Sequence, residues 1–104
     1  MSITNTLIQS GNTTAIYTAP NDAAITTMIF CNTDNNVFDY FTVYVVPNGS
    51  VVGPSTTVLF EVPVAPTETF VMDTEKLILS AGDAIYAQSV FSNSIAATVS
   101  AVNI

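Results

Sequence analysis

Apolar and polar residues alternate with a period of two along most of the chain, and helical spacing is nearly absent. Thr, Val, Ile, Phe and Tyr dominate the alternating stretches, and these β-branched and aromatic residues suit a pleated surface. The pattern predicts about eight strands, at Asn5–Gln9, Thr14–Thr18, Ala24–Cys31, Phe38–Val46, Val58–Val64, Thr69–Asp73, Ala84–Val90 and Ile95–Asn103. Turn chemistry separates them. Pro20-Asn21-Asp22, the run from Asn32 to Asn36, Pro47-Asn48-Gly49-Ser50, Ala81-Gly82-Asp83 and Ser92-Asn93-Ser94 all favour reversals. Gly53-Pro54-Ser55 extends the third of these loops. Pro63 and Pro66 lack N–H groups, so they bracket an edge or a bend. Turns at this density with no helical segment predict an all-β fold, an antiparallel β-sandwich with jelly-roll or immunoglobulin-like connectivity.

Alternation also sorts side chains by face. In the fourth strand, Phe41, Val43 and Val45 share one face, and Phe38, Tyr40 and Tyr44 share the other. In the third, Ile25 and Ile29 oppose Met28 and Phe30, so both faces read as apolar. A strand apolar on both sides is either central in a sandwich or covered by another chain. The polar faces are rich in threonine: Thr13, Thr14, Thr26, Thr27, Thr56, Thr57, Thr67 and Thr69. Threonine keeps β-propensity while staying neutral, so charge is not what guards most sheet edges here.

Size and charge narrow the functions available. The 104 residues make one domain, 1–104, with residues 1–12 expected as an N-terminal arm that packs on a neighbour. Hydrophobic residues make up 49% and charged ones only 9%, a balance opposite to that of disordered chains. Lys76 is the one cation, against eight acids and a net charge of −7. Nucleic-acid affinity comes largely from phosphate neutralisation, so a nucleic-acid partner is excluded, and anionic membranes would repel the chain. No apolar run reaches the roughly 18 residues of a membrane-spanning helix. Met1-Ser2-Ile3-Thr4-Asn5 lacks the charged and apolar regions of a secretory signal. The lone Cys31 cannot form an internal disulfide. Synthesis in a reducing cytoplasm is therefore expected.

No catalytic constellation emerges. Cys31 and the serines have no histidine to activate them, because the chain has none. Cys31 continues the Ile25–Ile29 face and reads as a buried structural thiol. Lys76, between Glu75 and Leu77, reads as a solvated charge. The acids Asp22, Asp34, Asp39, Glu61, Glu68, Asp73, Glu75 and Asp83 could pair for glycoside hydrolysis only across a cleft, for which a domain this small has little room. One cysteine and no histidine disfavour zinc. Asn32, Asp34, Asn35, Asn36 and Asp39 offer oxygens to calcium but lack EF-hand spacing, and an Asn/Asp-rich turn is the simpler reading. Asp83 is expected to bond its own turn. The chain reads as a non-enzyme without cofactor or metal.

Several stretches carry a resemblance. Ile16-Tyr17-Thr18-Ala19-Pro20, Ile29-Phe30-Cys31-Asn32-Thr33, Thr42-Val43-Tyr44-Val45-Val46-Pro47, Leu77-Ile78-Leu79-Ser80-Ala81-Gly82-Asp83-Ala84-Ile85 and Val99-Ser100-Ala101 follow one another in that order. Over residues 14–104 the chain resembles small β-sandwich virion structural proteins of tailed bacteriophages. The resemblance implies a capsid-decoration (cement) subunit or a neck, tail or fibre component. It implies location in the virion, and partners among the major capsid protein or the neck and tail proteins. It defines no functional residues. A homo-oligomer, with a trimer favoured, follows from the two-faced apolar strands, with Ile3, Leu7, Ile8, Phe38, Tyr40 and Tyr44 as interface residues. A different reading is a carbohydrate- or receptor-binding module that stacks ligands on Tyr40, Tyr44 and Tyr86, although Trp, the strongest stacking residue, is absent.

Overall fold

Among the described residues, nine strands form from the alternating segments: β1 (Ser2–Leu7), β2 (Thr14–Thr18), β3 (Ala23–Asn32), β4 (Asp39–Val46), β5 (Thr57–Val64), β6 (Thr69–Met72), β7 (Leu77–Leu79), β8 (Ala84–Ser89) and β9 (Ile95–Asn103). They are those of a computed structural model that describes residues 2–73 and 77–104. The expectations for Glu75 and Lys76 lie outside the described residues. Two elements were not foreseen: the three-residue β7, too short to show alternation, and a single 3-10 turn at Pro54–Thr56. The loop expected at Gly53-Pro54-Ser55 tightens into that turn. The Gly53 N–H donates to Thr56 Oγ1, and that hydroxyl donates in turn to the Gly53 carbonyl.

The strands build two antiparallel sheets. One runs β1-β9-β3-β6, with β7 also on β3; the other runs β2-β8-β4-β5. The connectivity is that of a folded ribbon. β4 pairs β5, β3 pairs β6, β2 pairs β8 and β1 pairs β9, and successive pairs go to opposite sheets. Contacts of β4 with β8 and of β3 with β9 then close each sheet. This is the jelly-roll arrangement, and it decides between the two connectivities expected from the sequence.

One core lies between the sheets. Phe30 of β3 stacks on Phe41 of β4 with centroids 4.2 Å apart, and Phe70 of β6 meets Phe41 at 5.5 Å. Ile8, Ile16, Met28, Val43, Ile85, Ile95 and Val99 complete its centre, all essentially inaccessible to solvent.

Bulges correct the face assignment of β3. Ile25 pairs with Ala101 but Thr27 with Ser100, so Thr26 is an extra residue. The Thr26 hydroxyl donates to the carbonyl and hydroxyl oxygens of Ser100 at 3.2 and 3.1 Å. The phase therefore flips. Ile25, Met28 and Phe30 all point inward, while Ile29 and Cys31 lie on the outer side and are half-buried. The two-faced reading of this strand came from treating it as unbroken, and Cys31 is not a core thiol.

The N-terminal segment is part of the sandwich itself. Residues 2–7 pair with residues 96–101 of the same chain, as an edge strand. Proline placement follows the reading. Pro63 sits in the edge strand β5 opposite Tyr40. Pro66 occupies the turn Ala65–Glu68, closed by the Glu68 N–H to the Ala65 carbonyl at 3.0 Å with Thr67 at φ 66°.

Candidate interaction surface

The outer face of the four-stranded sheet gathers the aromatic residues that the core does not use. Tyr44 on β4 is directly opposite Tyr86 on β8, and Thr42 is opposite Gln88. Tyr40 extends the row, meeting Phe38 at 5.4 Å and Phe91 at 5.9 Å. Phe38 and Phe91 are exposed, and Phe60 on β5 is 71% exposed. Alternation alone would not have put Phe60 there. β5 carries two register shifts against β4, and Glu61, within the one between Leu59 and Val62, takes a left-handed φ of 47°. Its N–H donates to Thr42 Oγ1 at 3.1 Å, which holds the bulge against β4.

Two shallow concavities meet at Tyr44 and Phe60. One, of about 340 Å³, is lined by Tyr44, Gly53, Pro54, Thr57 and Phe60. The other adds Thr42, Glu61, Gln88 and Val90, so apolar rings border amide, hydroxyl and carboxylate groups.

A buried carboxylate shapes one end of this face. Asp39 is fully buried. Its Oδ1 accepts N–H groups of Tyr40, Val90 and Phe91 at 2.7, 3.2 and 2.9 Å. Its Oδ2 accepts the N–H and hydroxyl of Ser92 at 3.0 and 2.9 Å. Five donors offset the loss of water around the charge. They also tie the turn after β8 to the start of β4, and so set Phe91 beside Tyr40. The sequence reading counted Asp39 only among the acids weighed for glycoside hydrolysis and for calcium, because four of its five donors lie in another part of the chain.

The other candidate oxygens are used in the same structural way. The buried Asn32 donates to the carbonyls of Val37 and Val64, both at 3.0 Å, and its Oδ1 accepts the Asp34 N–H. Asp34 Oδ1 accepts the N–H groups of Asn36 and Val37 at 2.8 and 3.0 Å. Those two bonds, Asn36 first, hold its carboxyl below the usual aspartate range. The segment is a self-bonded Asn/Asp turn. Asp83 bonds its own turn through the Ser80 N–H, as expected, and reaches the Asn48 N–H as well.

The six interface candidates fall into two places. Phe38, Tyr40 and Tyr44 lie on the outer side of the four-stranded sheet. Ile3 and Leu7 are exposed on β1, at an edge of the other sheet. Ile8 is a correction: it is fully buried, because a period of two cannot put it on the same side as Ile3 and Leu7. Tyr86 does join the aromatic row. Phe60 and Phe91 were missed, one because it sits in a bulge and the other because it sits in a turn. No known protein family, no curated protein and no solved structure matches the chain.

Proposed function

We propose that the chain is a non-catalytic structural subunit of a bacteriophage virion, of the capsid-decoration type, that docks through the outer face of its four-stranded sheet. The observation that carries this reading is the aromatic surface running from Phe38 through Tyr40 and Phe91 toward Tyr44 and Phe60. Exposed rings of this kind supply most of the energy in protein contacts when they enter a partner's pockets. The low charge of the face agrees with it. Of the four strands, only Asp39 and Glu61 carry charge, and Asp39 is buried. Interface centres are depleted in charge in the same way. Jelly rolls serve as viral structural domains and also as lectins, so the fold by itself supports this reading only by analogy.

The test is binding of the purified chain to phage heads that lack it, with the double variant Tyr44→Ser/Phe60→Ser beside the parent. Expected are saturable binding of the parent and at least about a thirtyfold weaker affinity for the variant, at unchanged strand content by circular dichroism. Equal binding by the two proteins would remove this face from the interface. A parent that binds no virion part would end the proposal. One observation favours a second reading: the concavity joining Tyr44 and Phe60 to Thr42, Glu61 and Gln88 has the mix of ring and polar groups that sugars use. A glycan array would distinguish it.

A further inference from the structure

Among the described residues, five strands border open edges of this sandwich, and four of them are guarded. β5 has two register shifts, Pro63 and the charge of Glu61. β2 is short and shifts register between Ala15 and Tyr17. β6 and β7 are four and three residues long and divide one side of β3 between them. Bulges, proline, charge and shortness are the usual means of keeping edges from pairing. β1 has none of the first three. Its six residues stay in unbroken register with β9 and include no proline, glycine or charge.

Its free groups can be identified. The Ile8 N–H donates to the Ile95 carbonyl at 3.0 Å, one step beyond the last paired residue. Antiparallel ladders alternate, so the N–H and C=O of Thr4 and Thr6 also face β9, and those of Ile3, Asn5 and Leu7 face outward. The sequence around these positions is nearly palindromic: Ile3-Thr4-Asn5-Thr6-Leu7 reads almost the same from either end.

We propose that β1 pairs antiparallel with β1 of a second copy about a two-fold axis through Asn5, joining two five-stranded sheets into one. Asn5 then faces Asn5 of the second copy, and Ile3 and Leu7 face Leu7 and Ile3. These are the outward-facing residues, so each pair exchanges two N–H···O=C bonds. The side chains of Ile3 and Leu7, 65% and 53% exposed in the single chain, cover each other across the seam. No charge on β1 or β9 opposes the approach. Such a contact uses the same strand on both partners and closes on itself. It makes the oligomer a two-fold pair in place of the trimer expected from the sequence, and it does not depend on what the aromatic face binds.

Amide hydrogen exchange across a concentration series tests this in the unaltered protein, with light scattering to give the mass. Expected is a dimer at high concentration, with exchange of the Ile3, Asn5 and Leu7 amides slowed at least about tenfold relative to dilute protein. The Thr4 and Thr6 amides, bonded within the chain, should not change. Asn5→Pro removes an outward N–H that β9 does not use, a place where an edge strand tolerates proline. This variant should be monomeric with the parent's strand content. A monomer at all concentrations, a trimer, a dimer without that alternation, or a dimer that survives Asn5→Pro would each overturn the proposal. If Asn5→Pro does not fold, the amide pattern of the unaltered chain decides alone.

Discussion

The two outer faces of this sandwich are built from similar residues and came out differently. None of the five strands of the larger sheet contains a charged residue. Its outer face reads across the strands as small or neutral rows, such as Asn5, Thr98, Ile29 and Val71. The smaller sheet presents rings and hollows instead. The difference lies in the ladders. The larger sheet breaks register once, at Thr26, and there the extra residue serves to turn Ile25 and Met28 inward together. The smaller sheet breaks register three times, and two breaks fall in β5, where they push Phe60 outward and open the hollow beside Tyr44. Regular pairing leaves a flat surface. Bulges on an edge strand sculpt one.

The strongest way to break this comparison is to remove what the two sheets share. Phe41 touches Phe30 and Phe70 of the larger sheet from its place on the smaller one. Phe41→Ala should cost about 3–5 kcal/mol by urea unfolding, since the cavity is enclosed on both sides. That is a large part of the stability of a domain this size. Both faces should loosen together, and exchange protection confined to one sheet would mean that the sheets fold more independently than their core implies.

A smaller, one-sided effect is expected at Asp39. Asp39→Ala leaves the N–H groups of Tyr40, Phe91 and Ser92 without their acceptor, while the Val90 N–H keeps its bond to the Tyr40 carbonyl. We expect a loss of about 2–4 kcal/mol, the usual scale for abandoning a buried hydrogen-bonding cluster. Amide protection should fall first at residues 91 and 92, while the β1–β9 ladder keeps its protection. Equal loss in both sheets would refute the view that Asp39 serves the aromatic face in particular.

What the sequence made legible follows the same division. Local signals were enough for most of the strands, the turns, the edge role of Pro63 and the Asp34 turn, because each depends on neighbouring residues; they missed the three-residue β7 and set the first strand at Asn5–Gln9 where β1 runs Ser2–Leu7. The phase of a strand was legible only where pairing is regular. It placed Tyr40 and Tyr44 correctly on β4. It failed on β3, where one inserted threonine reverses the sense of every residue after it, so that Ile29 and Cys31 leave the core. The aromatic surface was half visible for that reason. Tyr40, Tyr44 and Tyr86 stand in regular pairing, whereas Phe60 depends on bulges and Phe91 on a carboxylate distant in sequence. Nothing near Asp39 announces its five donors. The connectivity, too, was open until the pairings of β1 with β9 and of β2 with β8 were known.

The smallest effect is expected where the chain passes from the larger sheet to the smaller, at the turn held by Asp34. The N–H groups of Asn36 and Val37 bond the charged carboxylate, which lowers its pKa in the folded chain relative to the unfolded one. The sign of the linkage follows. The turn's contribution is fully present above the unfolded aspartate range and is lost as pH falls through the lower, folded value. Acidification below the ordinary aspartate range should therefore release the Asn36 and Val37 amides to exchange. The residue is half-buried but these two bonds lie at the surface, so global stability should hardly register the change. Asp34→Asn keeps one acceptor oxygen but has no charge to lose, so its amides should exchange with no acid-dependent step at this site. A step that persisted in that variant would move the titrating group elsewhere on the turn, and the bridge between the two sheets would then depend on a carboxylate other than Asp34.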